Sequence, residues 1–298
     1  MDLVSEPLCL LTVHAHPDDE ASKGAATVAL YHDQGVRTVL VCCTGGEEGD
    51  ILNPAMDTPE VRADLPAIRK AELAASAAAI GYDEVVHLGY RDSGMPGTPA
   101  NENPRSFARA ALEEAVGRLV TVVRRARPQV VVTYDEEQSG YPHPDHLRVH
   151  EISMSAFAAA ADASAYPEAG PPWQVRKLYY VGFSGERILA LHAKFVELGL
   201  ESPFDDGWIE RAKGQQRVYT TRIDVSGYSD VRRRALLAHA TQIDPESPFW
   251  FGLPPEVART VHPFDEYVLA RTAPGLTTVT AGQQEDDLFA GVREALPR

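Results

Sequence analysis

Short apolar runs rich in β-branched residues alternate, over the first half of the chain, with longer stretches in which alanine and larger aliphatic residues recur at helical spacing. Residues 8–13, 37–43, 85–89 and 129–134 have the length and composition of buried strands. Residues 21–34, 67–80 and 147–165 predict Ala-rich helices, the first two closed by Gly35 and Gly81 and the third ending before Pro167. Between 106 and 127, Leu112, Val116, Leu119 and Val123 repeat at spacings of three and four, and Pro128 ends that helix. Strand and helix in strict alternation, with right-handed crossovers, predict an α/β fold. It should be Rossmann-like, a mostly parallel twisted sheet flanked by helices.

The last third changes character. Residues 177–181 and 218–223 predict strands, 186–198 and 231–240 predict helices, and Phe249-Trp250-Phe251 is read as core or pocket wall in preference to a partner surface. No repeat and no long linker divides the chain. The expectation is one domain over 1–298, with an α/β core over about 1–166 and a C-terminal extension over about 167–298 that walls the site.

Polar loops follow the predicted strands, where open α/β sheets place their ligands. After the first comes His16-Pro17-Asp18-Asp19-Glu20, and after the fourth Tyr141-Pro142-His143-Pro144-Asp145-His146. Acids alone would serve to cap a helix. Two such clusters at the ends of parallel strands point instead to one metal site. A hydrolytic zinc needs three protein ligands and an open position. His16 and Asp19 supply two from one loop, and His146 is the third. Asp18, between the first two, lies close to the attacking water as general base. His143 and Tyr141 would donate to the developing oxyanion, and Asp145 would fix the His143 tautomer and raise its pKa.

The other loops carry weaker signals. Thr44-Gly45-Gly46-Glu47-Glu48-Gly49 lacks the dinucleotide spacing, and its glutamates would repel a phosphate. Glu47 or Glu48 there faces a polar substrate or makes a structural contact. Arg69 and Glu72, one helical turn apart, suit an exposed ion pair or a substrate contact. His14, His87, His150, His192 and His262 have no acidic company and read as structural.

Composition narrows the setting. Of 298 residues 44% are hydrophobic and 24% charged, with a formal net charge of −15, which argues against nucleic acid or an anionic membrane as partner. Three cysteines without metal-type spacing, and no leader-like opening, predict a cytoplasmic protein.

The two clusters, with residues 22–26, 44–47, 51–57, 92–94, 177–180 and 238–245, resemble the LmbE-type (PIG-L) zinc-dependent N-deacetylase family over nearly the whole chain, and within it the branch that hydrolyses mycothiol S-conjugates. The resemblance implies Zn2+ (or Fe2+) on His16, Asp19 and His146, with Asp18 as base and His143 and Tyr141 at the oxyanion. Lys23 matches a lysine of the amidase branch, and Arg69 and Asp92 match sugar-inositol contacts. The implied reaction is hydrolysis of the cysteinyl-glucosamine amide of a small-molecule mycothiol S-conjugate. Deacetylation of the mycothiol precursor is the alternative, a non-catalytic binding protein another, and a homo-oligomer is left open. Residues 136–140 and 97–105 depart from the amidase pattern.

Overall fold

The structure, a computed structural model, describes residues 7–138, 141–276 and 283–293. Its seven strands are β1 (Cys9–His14), β2 (Arg37–Thr44), β3 (Glu84–Tyr90), β4 (Val130–Thr133), β5 (Lys177–Gly182), β6 (Thr221–Asp224) and β7 (Phe264–Thr272). They form one sheet in the order β3-β2-β1-β4-β5-β7-β6. The first five are parallel, and β7 and β6 add an antiparallel margin. The strand order reverses between β1 and β4, so the loops after these two strands meet at the switch point of the sheet.

The helices are α1 (Asp19–Ser22), α2 (Ala25–Asp33), α3 (Pro59–Ala63), α4 (Leu65–Ile80), α5 (Leu112–Ala126), α6 (Pro144–Ala159), α7 (Gly185–Glu197), α8 (Asp206–Gly214), α9 (Ser229–Ala238), α10 (Pro248–Phe251) and α11 (Pro255–Val261). The pleat of β1 assigns its side chains to two cores. Leu11 and Val13 pack with Leu119, Val123 and Ile152 from α5 and α6, while Leu10 packs with Val28 of α2 and Leu236 of α9. A smaller cluster joins Ile188, Phe195, Phe204 and Leu253 in the C-terminal third.

Several boundaries differ from expectation for identifiable reasons. The predicted helix at 21–34 is broken, because Gly24 sits at φ +85° and a Cβ there would approach Tyr267 Oη to 2.9 Å. Helix α6 starts three residues earlier than its apolar pattern suggests. His143 caps it, its Nδ1 accepting from Asp145 N at 3.2 Å, and Pro144 takes the first helical position. Helix α5 starts later, at Leu112, behind a short 3-10 turn at Phe107–Arg109. Strand β7 gave no alternating signal, since Asp265 and Glu266 are buried in it, bonded to Thr27 and Arg222. No helix among the described residues is long and apolar enough to cross a membrane.

Candidate metal centre and active site

The β1–α1 loop turns sharply. Asp18 adopts φ +106°, a conformation costly for a residue with a Cβ. Two groups, Glu20 and Arg69, hold it there. Its backbone N donates to Glu20 Oε2 at 3.0 Å, Arg69 Nη2 donates to Asp18 Oδ2 at 2.9 Å, and the same guanidinium bonds the Pro17 and Gly46 carbonyls. Asp18 makes no side-chain cap to α1, so helix capping does not explain its presence.

His16 and Asp19 come together across this turn, and His146 reaches them from the first turn of α6. His16 Nδ1 lies 3.5 Å and His146 Nε2 3.4 Å from the same oxygen, Asp19 Oδ2. The far nitrogens are committed elsewhere. His16 Nε2 donates to Asp145 Oδ2 at 3.2 Å, and His146 Nδ1 donates to Gln138 Oε1 at 3.0 Å. His146 thus turns an unprotonated nitrogen toward Asp19, as a ligating imidazole must. At His16 burial is outweighed by Asp145, Asp19 and Asp92, which raise it well above the usual histidine value, so a metal there would take the place of a proton. His146 Nε2 is buried and has no hydrogen-bond partner among the described residues. These donor atoms fit a divalent ion, two imidazole nitrogens and one carboxylate oxygen.

Around the cluster the expected residues take unequal parts. Asp18 stands beside it with its side chain 28% exposed, and burial raises its carboxyl above the usual range against the opposing pull of Arg69. His143 faces His16 edge-on, ring centres 4.6 Å apart, and Tyr141 stacks near His143 at 5.8 Å while remaining exposed. Burial and the neighbouring His16 push His143 down to about 4, more than Asp145 offsets. Since His143 Nδ1 accepts from the Asp145 backbone, its proton belongs on Nε2. Contrary to the expectation from the sequence, the Asp145 carboxylate does not orient His143. It bonds His16 and both the backbone N and hydroxyl of Ser93, so it orients a ligand of the cluster instead.

The four residues expected to meet substrate are mostly engaged with protein. Lys23 Nζ pairs with Asp19 Oδ1. Glu47 Oε2 accepts from Asp92 N at 2.9 Å, the structural contact that was one of its two readings. Asp92 Oδ1 accepts from Gly94 N at 2.8 Å and lies 3.6 Å from His16 Nε2. Arg69 and Glu72 form no exposed pair. Both are buried, Arg69 beneath Asp18 and Glu72 on Thr241. His262, read as free of acids, lies 3.2 Å from Glu266.

Other residues at the site carry no motif. Gln138 fixes the His146 tautomer and is itself held by Asp135, which pairs with Arg217. Glu20 accepts from Asp18 N, from Ser76 and, at 2.6 Å, from His239 Nε2. Burial alone would raise Glu20 and lower His239, and their contact reverses both, leaving an ionised pair. Glutamate in a strand-end acidic cluster was a visible signal; its histidine partner, more than two hundred residues away, was not. Ser139 and Gly140 of the second cluster lie outside the described residues.

A His–Asp–His cluster at the switch point of a Rossmann-like sheet, with a carboxylate beside it, is the equipment of a metal-dependent hydrolase. Comparison with known proteins agrees. The PIG-L profile, described as GlcNAc-PI de-N-acetylase, matches residues 11–157. The chain is 43% identical over 300 residues to the mycothiol S-conjugate amidase of Streptomyces coelicolor, covering 98% of this chain and 99% of that one. It is 41% identical to the 1D-myo-inositol 2-acetamido-2-deoxy-alpha-D-glucopyranoside deacetylase of Geodermatophilus obscurus, over 95% and 97% of the two chains. The fold matches the N,N'-diacetylchitobiose deacetylase of Pyrococcus horikoshii with a TM-score of 0.60 at 16% identity, over 89% and 84%. The chain belongs to the PIG-L family and is a hydrolase of the deacetylase and amidase type.

Proposed function

We propose that this enzyme is a zinc-dependent amidase that cleaves the amide joining a cysteinyl S-conjugate to glucosaminyl-inositol. The reading rests on one observation above the rest: His16, Asp19 and His146 bring ligand-type atoms within 4.8 Å of one another, with Asp18 alongside. Full-length similarity to a mycothiol S-conjugate amidase supports the substrate class. A divalent ion on these three residues, zinc or in its place iron(II), would polarise the amide carbonyl and acidify a water.

The protein's own groups do the rest. Asp18 accepts the proton of the attacking water as its oxygen bonds to the amide carbon, and the carbonyl oxygen gains charge. His143 Nε2–H, with Tyr141 Oη–H, donates to that oxygen; one such donor is worth about 3 kcal/mol. The C–N bond then breaks, the carbonyl re-forms, and Asp18 returns its proton to the departing glucosamine nitrogen. Water is consumed, and a cysteine-type carboxylate and an amine are released. His143 lowered to about 4 is neutral near pH 7, which suits a hydrogen-bond donor and leaves proton delivery to Asp18. The resemblance ties Lys23, beside Asp19 at the end of α1, to the S-conjugate and Arg69 and Asp92 to the sugar-inositol part, although the last two are buried on protein partners.

Deacetylation of N-acetylglucosaminyl-inositol is the second reading, favoured by relatives of about the same identity that carry that name. The test is a side-by-side assay of a mycothiol S-conjugate and the N-acetyl precursor, products read by mass spectrometry, on the wild type, Lys23→Ala and Asp18→Ala. Amide cleavage of the conjugate, weakened in Lys23→Ala and lost by about 10²–10⁴-fold in metal-loaded Asp18→Ala, is expected. Preferential release of acetate would replace the first reading by the second. Full activity in metal-loaded Asp18→Ala would remove the proposed base.

A further inference from the structure

Away from the metal centre, the core around α2 and α9 and the small cluster around Phe204 and Leu253 do not close on each other. They leave a cavity of about 160 Å3, lined by none of the residues placed at the metal or the proposed reaction. Phe183, Trp250 and Phe264 give it ring-faced walls. Four arginines, Arg187, Arg232, Arg233 and Arg259, line it against two carboxylates, Asp230 and Asp265, in a chain whose net charge is −15.

Arg187 is the informative member. Its side chain is only 14% exposed, and its nearest carboxylate oxygen, Asp265 Oδ1, lies 3.6 Å away, within ion-pair range but beyond hydrogen-bond distance, with the Glu266 charge also nearby. The other Asp265 oxygen is taken by Thr27, through its hydroxyl at 2.9 Å and its backbone N at 3.3 Å. The guanidinium instead stacks over the Phe183 ring at 4.7 Å. Arg233 likewise lies over Phe251 at 4.7 Å, with no carboxylate in ion-pair range among the described residues. A largely buried guanidinium is costly unless an anion satisfies its donors, and its planar fork matches a carboxylate bidentately.

Size limits the remainder of the ligand. An apolar cavity of about 150 Å3 admits one benzene ring. We propose that this cavity binds a small amphipathic anion, a single-ring aryl carboxylate, with its carboxylate on Arg187 and its ring between Phe183, Trp250 and Phe264. Guanidinium groups and aromatic rings lie side by side in the lining, so both halves of such a ligand are necessary.

Calorimetric titration of the full chain with benzoate tests this, with benzamide as the neutral analogue and inorganic phosphate as the ringless anion. Saturable benzoate binding near one per chain is expected, with benzamide and phosphate each at least about tenfold weaker, as the loss of a charge-assisted hydrogen bond or of ring burial requires. Arg187→Gln should weaken benzoate by about tenfold or more. Asp19→Ala should leave it unchanged, which separates this cavity from benzoate held at the metal. Ala258→Trp keeps every arginine and fills the lining, so in a folded variant it should abolish binding even if Arg187→Gln does not fold. Absence of saturable binding, equal affinity for benzamide or phosphate, unaltered binding in folded Ala258→Trp, or loss of binding in Asp19→Ala would each overturn the proposal.

Discussion

The parallel half of the sheet and the antiparallel margin contribute differently to the site. Every residue proposed to touch the metal or the reacting amide comes from a loop or helix start after β1 or β4: His16, Asp18 and Asp19 from one, Tyr141, His143 and His146 from the other. The segments beyond β5 supply none of these, yet they hold several of them. His239, just past α9, bonds Glu20, which in turn bonds the Asp18 backbone. Arg217, ahead of β6, pairs with Asp135, which bonds Gln138, which bonds His146. Thr241 bonds Glu72 on α4, one turn from Arg69. Chemistry and its positioning are thus divided between two parts of one chain. The difference teaches that the strained turn at Asp18 is kept by contacts distant in sequence, in line with the rule that local strain persists only where surroundings over-determine it.

Substitutions on the two sides should separate in kind as well as size. The largest effect is expected on the parallel side. His146→Ala removes one of three ligands, so bound metal measured by plasma emission should fall from stoichiometric to trace, and turnover should fall by about 10³-fold or more, with the thermal unfolding of the metal-free protein little changed. Metal retained at full stoichiometry would show that His146 is not a ligand.

On the holding side, His239→Ala strands the buried Glu20 carboxylate. Loss of one partner of a buried ion pair costs about 3–5 kcal/mol, which a denaturant titration should show as a lower midpoint. His239→Gln, which can still donate to Glu20, should recover part of it. If His239→Ala left stability intact, the pair would not be what holds the turn.

Gln138→Ala should do less. It keeps all three ligands and frees the His146 tautomer, so metal affinity, measured by competition with a chelator, should drop about 10–100-fold while global stability hardly moves. An unchanged affinity would break the chain of contacts from Arg217.

The smallest effect concerns the margin by itself. Burial would raise Glu266, but the His262 contact, the Ser184 hydroxyl and Arg222 hold it down to about 2. A carboxylate depressed from 4.5 contributes stability that is complete above about pH 4.5 and lost as pH falls toward 2. Acid unfolding of Glu266→Gln followed by circular dichroism should therefore be shallower over that interval than in the wild type. An identical slope would mean that another carboxylate governs it.

Strand-forming runs, their alternation with helices and the two polar clusters were legible because each is a local pattern: β-branched runs, a period near 3.6, and ligand-type residues three positions apart. Boundaries were less so. Helix α6 was placed too late because its start is marked by Pro144 and the capping His143, not by apolar periodicity. Strand β7 was missed because Asp265 and Glu266 stand where a strand pattern expects apolar residues, and only their distant partners make them tolerable there. Spacing along the chain pairs the Asp145 carboxylate with His143, and the fold pairs it with His16.

By itself, then, the order of residues determined the α/β class and the identity of the metal-type side chains, which are written in spacing and composition, and it pointed to the family through the resemblance of particular stretches. Only the folded chain decided which nitrogen of His16 and of His146 faces Asp19, which carboxylate orients which ring, and that Arg69 and Glu72 are buried. Those outcomes depend on groups brought together from positions as far as 129 and 169 residues apart. Contacts at such separations follow the path of the backbone through the sheet, and no local pattern in the chain encodes that path.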